Sequence, residues 1–248
     1  MKYVVFGDVH GEYYKLLNLL RIIEQKYVID DYTLVFLGDL IDRGPLSFSV
    51  VDYVKRKVED KKAIAVIGNH ELMMLEAYHY WKKQGEPYPL WLYNGGKQAL
   101  KSYCDMFEYD VSMQFFAEAF EKSGHYNFLK NLPLYYETDE VWFSHAPIPK
   151  DEYLPRHTFL PKELYTWSTH HQWNRDYPWR QITEEQYVKD HGKLAVCGHV
   201  HALLEDVWEA RVYKEAIHID SGCGCHPDAP LSVAIIENGK LVEILESD

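Results

Sequence analysis

The sequence predicts an α/β domain in which two mixed β-sheets are flanked by helices. Three observations predict it. Short apolar runs alternate with helix-period segments through the first third of the chain. Each of those runs closes on Gly-Asp or Gly-Asn, and the last third turns to strands, two of them joined by an Asn238-Gly239 hairpin signal.

In order, the strands Tyr3–Phe6, Thr33–Leu37 and Ala63–Ile67 are followed by the helical patterns Tyr13–Gln25, Ser47–Val58 and Glu71–Lys83. That β-α-β rhythm argues for parallel strands with crossover helices, whose polar residues gather at the strands' carboxyl ends. From about residue 84 to 132 the pattern is helical and irregular. Gln84 to Pro89 acts as a breaker, and Lys97–Met106 and Ser112–Lys130 are helix candidates, so a helical insertion is expected there. Strands follow at Leu134–Glu137, Val141–Ser144, Leu194–Cys197, Ala216–Ile219, Ser232–Glu237 and Leu241–Leu245. The stretch 150–193, rich in Pro, Trp, Tyr and His, has no readable period.

At 248 residues with 47% hydrophobic content, the chain suits one core, and a single domain over 1–248 is expected. A net charge of −12 argues against nucleic acid as the partner and suits divalent cations. Met1–Phe6 runs straight into Gly7 as a strand pattern, without a charged start ahead of a longer apolar stretch. No apolar run approaches the roughly 18 residues of a membrane span. The expectation is a cytoplasmic protein with no membrane partner. Cys104, Cys197, Cys223 and Cys225 form no Cys-x-x-Cys pair and are read as reduced, small core residues.

Asp8 and His10 lie two apart just past a strand, where period-2 geometry turns both side chains to one side, so that they can share a metal. After the second strand comes Gly38-Asp39-Leu40-Ile41-Asp42-Arg43-Gly44, and after the third Gly68-Asn69-His70-Glu71. Three successive strands thus deliver carboxylate, imidazole or amide to one sheet edge, as an N/O-ligand metal site requires. His145 and His199, each directly after an apolar strand, add two more imidazoles.

Gly-Asp-x-His-Gly, Gly-Asp-x-x-Asp-Arg-Gly, Gly-Asn-His-Glu, a later His-Ala and then Gly-His, in that order, resemble the calcineurin-like metallophosphoesterases. Asp42-Arg43-Gly44 is similar to the branch of serine/threonine protein phosphatases and symmetrical dinucleoside tetraphosphatases. Ile219-Asp220-Ser221-Gly222 resembles that family's Asp-Thr-Gly segment, and Trp91 to Gly96 a segment of its bacterial and phage-type members. The resemblance implies a four-layer sandwich and two divalent cations, manganese first, with iron, zinc, nickel or cobalt as alternatives. Asp8 and His10 would hold one cation, Asp39 would bridge, and Asn69, His145 and His199 would hold the other. Two cations roughly 3.5–4 Å apart would share a hydroxide that attacks phosphorus in line. His70 would protonate the leaving group, Asp42 would fix its tautomer, and Arg43 would clamp phosphate oxygens.

The family's second phosphate arginine falls to Arg175, with Arg156 and Arg180 competing. His201 repeats the two-residue spacing of Asp8 and His10 and is expected to join them on their metal if the chain stays extended; the alternative is a spectator. The aromatics of 78–93 and 165–179 either wall a substrate groove or pack. Hydrolysis of phosphomonoesters is the expected activity, on phosphoserine or phosphothreonine proteins, with phosphotyrosine and small phosphates as side activities. A dinucleoside polyphosphate hydrolase and an inactive metal-binding regulator are the alternatives. His70 and Asp42, which serve catalysis and not ligation, speak against the last.

Overall fold

The computed structural model describes residues 1–146, 192–199, 208–213 and 216–247. Two five-stranded sheets carry the fold. The first has the order β10-β9-β1-β2-β3, from strands β1 (Lys2–Phe6), β2 (Thr33–Phe36), β3 (Ala63–Ala65), β9 (Ser232–Glu237) and β10 (Lys240–Glu246). The second has the order β4-β5-β6-β8-β7, from β4 (Tyr135–Glu137), β5 (Val141–Ser144), β6 (Leu194–Cys197), β7 (Arg211–Val212) and β8 (Ala216–His218). β1, β2 and β3 run parallel, as do β5, β6 and β8, while β9, β10, β4 and β7 pair antiparallel at the flanks. Both sheets are therefore mixed.

Strand alternation divides the apolar residues between two layers. Tyr3, Val5, Val35 and Val66 of the first sheet pack on Val141, Phe143, Val196 and Ile217 of the second. Val4, Phe6, Leu34 and Phe36 face the other way, onto the helices. There α1 (Tyr13–Lys26) buries Leu16, Leu19, Leu20 and Ile23 at helical spacing, and α2 (Ser47–Glu59) buries Val50, Val51 and Val54. The outer face of the second sheet carries a smaller cluster of Trp142, Ala195 and Ala216.

α3 (Asn69–Gln84) ends on Gly85 in the left-handed conformation, the helix stop the sequence suggests. Between it and β4 lie a one-turn α4 (Pro89–Trp91), an irregular turn Leu92–Gly96, α5 (Lys97–Met106), α6 (Met113–Lys122) and α7 (His125–Lys130). The single helix expected over Ser112–Lys130 is two, because Gly124 takes φ +75° and lets the chain turn between them. β7 was not expected: two residues held only by pairing with β8 leave no periodic signal. No helix among the described residues is long and apolar enough to cross a membrane.

Candidate metal and catalytic site

The loops beyond the carboxyl ends of the parallel strands meet along one edge of the two sheets. Asp8 and His10 follow β1, Asp39 follows β2, and Asn69 and His70 open α3 after β3. His145 follows β5, His199 follows β6 and Asp220 follows β8. None of these eight side chains is more than 4% exposed.

Hydrogen bonds between the loops fix each group. The His145 Nδ1–H donates to the Leu37 carbonyl and the His10 Nδ1–H to the Ile41 carbonyl, both at 2.8 Å. The backbone N–H of His70 donates to Asp39 Oδ1 at 3.0 Å, and that of His199 to both oxygens of Asp8 at 3.1 and 3.2 Å. Glu71, the third residue of α3, accepts from the backbone N–H groups of Gly68, Asp39 and Leu40 at 2.8–2.9 Å. One buried carboxylate thereby caps the helix and ties down the Asp39 loop. His10, Asp39, Asp42, Arg43 and His199 all adopt positive φ, between 45° and 71°. L-residues hold that conformation only where the surroundings over-determine it.

Two groups of three ligand atoms, His10–Asp39–His70 and Asp39–His145–His199, each lie within 4.8 Å of one another and share Asp39. The donor set fits divalent cations. With its proton on Nδ1, His145 turns the Nε2 lone pair toward Asn69 Oδ1 at 2.8 Å and Asp39 Oδ1 at 3.4 Å. Acceptors that face one another so closely call for a cation between them. The His10 Nε2 lies 3.6 Å from Asp39 Oδ2, and its lone pair meets Arg43 Nη1 at 2.7 Å.

Electrostatics point the same way. Burial, with Arg43 and His70 nearby, holds the His10 imidazole well below its ordinary value, and burial lowers His145 too. Both stay neutral, as ligands must. Burial alone would raise Asp39, but any positive charge on the surrounding His145, His70, His10 and His199 rings outweighs it and lowers the carboxyl. Burial and the charges of Asp220 and Asp39 push Asp8 well up, a carboxylate pair that positive charge would relieve.

Within the first of these groups, the His70 Nδ1–H donates to Asp42 Oδ2 at 2.7 Å, and the Trp91 indole N–H donates to Asp42 Oδ1 at 3.0 Å. Burial works against a charged His70, yet Asp39 and Asp42 outweigh it and hold the imidazole above its ordinary value. Burial also raises Asp42, against the bonds from His70 and Trp91. Arg43 reaches across the opening: Nη1 is 2.7 Å from His10 Nε2 and 2.7 Å from Cys225 Sγ, and Nη2 is 3.2 Å from His70 Nε2. Its backbone N–H donates to the Gly95 carbonyl at 3.2 Å, and the Asp42 N–H donates to Ser47 Oγ at 3.0 Å.

Asp8, His10, Asp39, Asp42, Arg43, Asn69, His70, His145 and His199 thus converge on one site. Arg175 and His201, like Arg156 and Arg180, lie outside the described residues. The extended geometry expected of the Asp8–His10 pair does not hold. His10 has φ 45° and His199 φ 64°, so it is the turn and not strand alternation that brings His10 inward, and the premise for His201 falls at His199. Asp8 stands beside the ligand groups, its oxygens on the His199 N–H. Of the four reduced cysteines, Cys225 is exposed and not a core residue. In the 78–93 segment, Tyr78 and Trp91 pack into the core while Tyr93 is exposed. Glu71, Ser47, Trp91 and Cys225 were given no part in the site by the sequence, although Glu71 and Trp91 lay inside quoted motifs.

Residues 1–203 match the family model described as calcineurin-like phosphoesterase. Over 76 residues the chain is 40% identical to an asymmetrical bis(5'-nucleosyl)-tetraphosphatase of Halalkalibacterium halodurans, covering 28% of this chain and 31% of that one. Over 92 residues it is 38% identical to serine/threonine-protein phosphatase 1 of Salmonella typhimurium, covering 37% and 38%. The chain spans between 23% and 38% of the length of the curated relatives it matches. Among solved structures, a cold-active protein-tyrosine phosphatase from Shewanella superposes with TM-score 0.63 at 16% identity, over 100% of this chain and 80% of that one, a likeness of fold.

Proposed function

The chain belongs to the calcineurin-like phosphoesterase family, and from that premise we propose that it is a metal-dependent hydrolase of phosphomonoesters, acting on phosphoserine or phosphothreonine in proteins. The observation that carries this reading is the buried His70–Asp42 pair beside Arg43. An alkoxide is a poor leaving group and needs a proton as the P–O bond breaks. The leaving phosphate of a dinucleoside polyphosphate is already a weak base and gains little from such an acid. A built acid therefore favours the monoester reading over the anhydride reading that the tetraphosphatase relatives raise.

In this reading Asp8, His10, Asp39, Asn69, His145 and His199 would hold two divalent cations, Asp39 belonging to both ligand groups, with manganese the first candidate. When bound, the cations supply a Lewis acid that activates water and draws in phosphoryl oxygens. Arg43 receives two phosphate oxygens on its planar fork. With Arg43 drawn from His70 Nε2 to the phosphate, Nε2 can carry a proton and give it to the departing oxygen, which takes the electron pair of the P–O bond. The His70 Nδ1–H stays on Asp42 throughout, so Asp42 orients the ring without itself accepting the proton.

The test is a panel on the manganese-loaded protein, comparing a phosphoserine peptide, an aryl phosphate and diadenosine tetraphosphate. Release of inorganic phosphate from the peptide at a higher kcat/KM than nucleoside diphosphate from the dinucleotide is expected. The reverse order overturns the assignment.

A further inference from the structure

We infer that Trp91 is a positioning residue for proton delivery: its indole N–H holds Asp42 so that Asp42 in turn holds the His70 ring. The inference rests on the role proposed for His70 above.

Asp42 is fully buried. One oxygen takes the His70 Nδ1–H at 2.7 Å, and the other takes the Trp91 Nε1–H at 3.0 Å. A buried carboxylate with one oxygen unserved is costly and free to rotate toward other donors. The second donor fixes the carboxylate plane, and with it the direction in which Oδ2 meets the imidazole. Asp42 also sits at φ 71°, with Arg43 at φ 61° after it, a pair of left-handed residues that needs outside support.

That support comes from the helical insertion. The Trp91 ring is buried, packs at 5.1 Å on Phe116 of α6, and lies so close to Gly96 that a Cβ there would meet the indole at 2.5 Å. Four residues on, the Gly95 carbonyl accepts the Arg43 N–H. A single turn of the insertion, Trp91 to Gly96, therefore braces both the carboxylate behind His70 and the backbone of Arg43. Packing alone would be satisfied by a phenylalanine. An N–H aimed at the one open oxygen of Asp42 is not needed for packing.

The experiment compares Trp91→Phe with the wild type on a phosphoserine peptide and on an aryl phosphate, and repeats the comparison in an Asp42→Asn background. The expected result is a fall of about tenfold in kcat for the peptide with KM unchanged, and less than about twofold for the aryl ester. In the Asp42→Asn background the Trp91→Phe effect should vanish, because the two act through one bond. In ¹H–¹⁵N spectra of histidine-labelled protein, the His70 Nδ1–H resonance, identified by its loss in His70→Asn, should move in Trp91→Phe. Equal losses on both esters, an undiminished effect in the Asp42→Asn background, or an unmoved resonance overturns the proposal. If His70→Asn itself slows both esters alike, the acid assignment fails and this proposal with it; a selective His70→Asn beside an unselective Trp91→Phe sinks Trp91 alone. Should Trp91→Phe not fold, benzothienylalanine at position 91 keeps the bicyclic shape without the N–H and answers the same question.

Discussion

His70 and Asp42 face each other at 2.7 Å, shut away from water at 2% and 0% exposure, although 28 residues separate them in the chain. A pair so placed can act on a leaving group only if the substrate needs its proton. His70→Asn is expected to slow alkyl phosphates by about 10²–10⁴-fold while slowing aryl phosphates far less. Asp42→Asn should show the same dependence more weakly. Steady-state rates on the two ester kinds decide it, and equal losses would give His70 some other task.

Asp39 is the one carboxylate common to both ligand groups. Asp39→Asn keeps the shape and removes the charge, so both cations should be lost with turnover. Metal content after gel filtration, measured by atomic emission beside kcat, checks this. A variant retaining two tightly bound metals and near-normal turnover would sink the shared role.

Gly95 lies at φ +103°, and a Cβ there would stand 2.8 Å from the Arg43 Cγ and backbone nitrogen. Gly95→Ala must displace Arg43 or the turn that carries it. The expected outcome is a roughly 10–100-fold loss of kcat/KM and a matching loss of inhibition by inorganic phosphate, the scale of a charged hydrogen bond. Unchanged phosphate affinity would mean that Arg43 does not meet the anion.

Away from the site, His125 is fully enclosed, with Nδ1 2.9 Å from the Tyr103 hydroxyl and Nε2 3.6 Å from Asp52. Burial pushes it down to about 4 against the pull of Asp52. The fold therefore favours the neutral ring, and its contribution is complete above the ordinary histidine value. As pH falls from about 6.5 to about 4 the unfolded chain takes up the proton first, and stability drops by roughly 3 kcal/mol. Urea melts at pH 7 and pH 4 should show that loss in the wild type and a smaller one in His125→Gln. Parallel losses in the two proteins would remove His125 as the cause.

Much of this was written in local pattern. Strands such as Val141–Ser144 and Leu194–Cys197 are short apolar runs bounded by polar residues, and the structure places them at those limits. The candidate ligand residues were picked out because each follows such a run, and their common edge comes from topology alone. What was not legible depends on contacts distant in sequence. The Trp91 N–H meets Asp42 across 49 residues, and Cys225 meets Arg43 across 182. Nothing near either residue in the chain announces its partner. At His10 the side was right and the reason was not, since strand periodicity was carried one step beyond the strand, into a turn with positive φ.

The position of β1 between β9 and β2 sets an order of assembly. Residues 2–6 leave a ribosome long before residues 233–237, their antiparallel partner. Until that partner arrives, β1 has an open edge and Asp8 hangs from a half-built sheet. Loop closure over such a separation is slow. A nascent chain would thus be unable to capture its cations while most of its ligands were already made, and metal uptake would report the completion of folding. Stalled intermediates would expose the β1 edge, the surface on which a chaperone or another chain would pair.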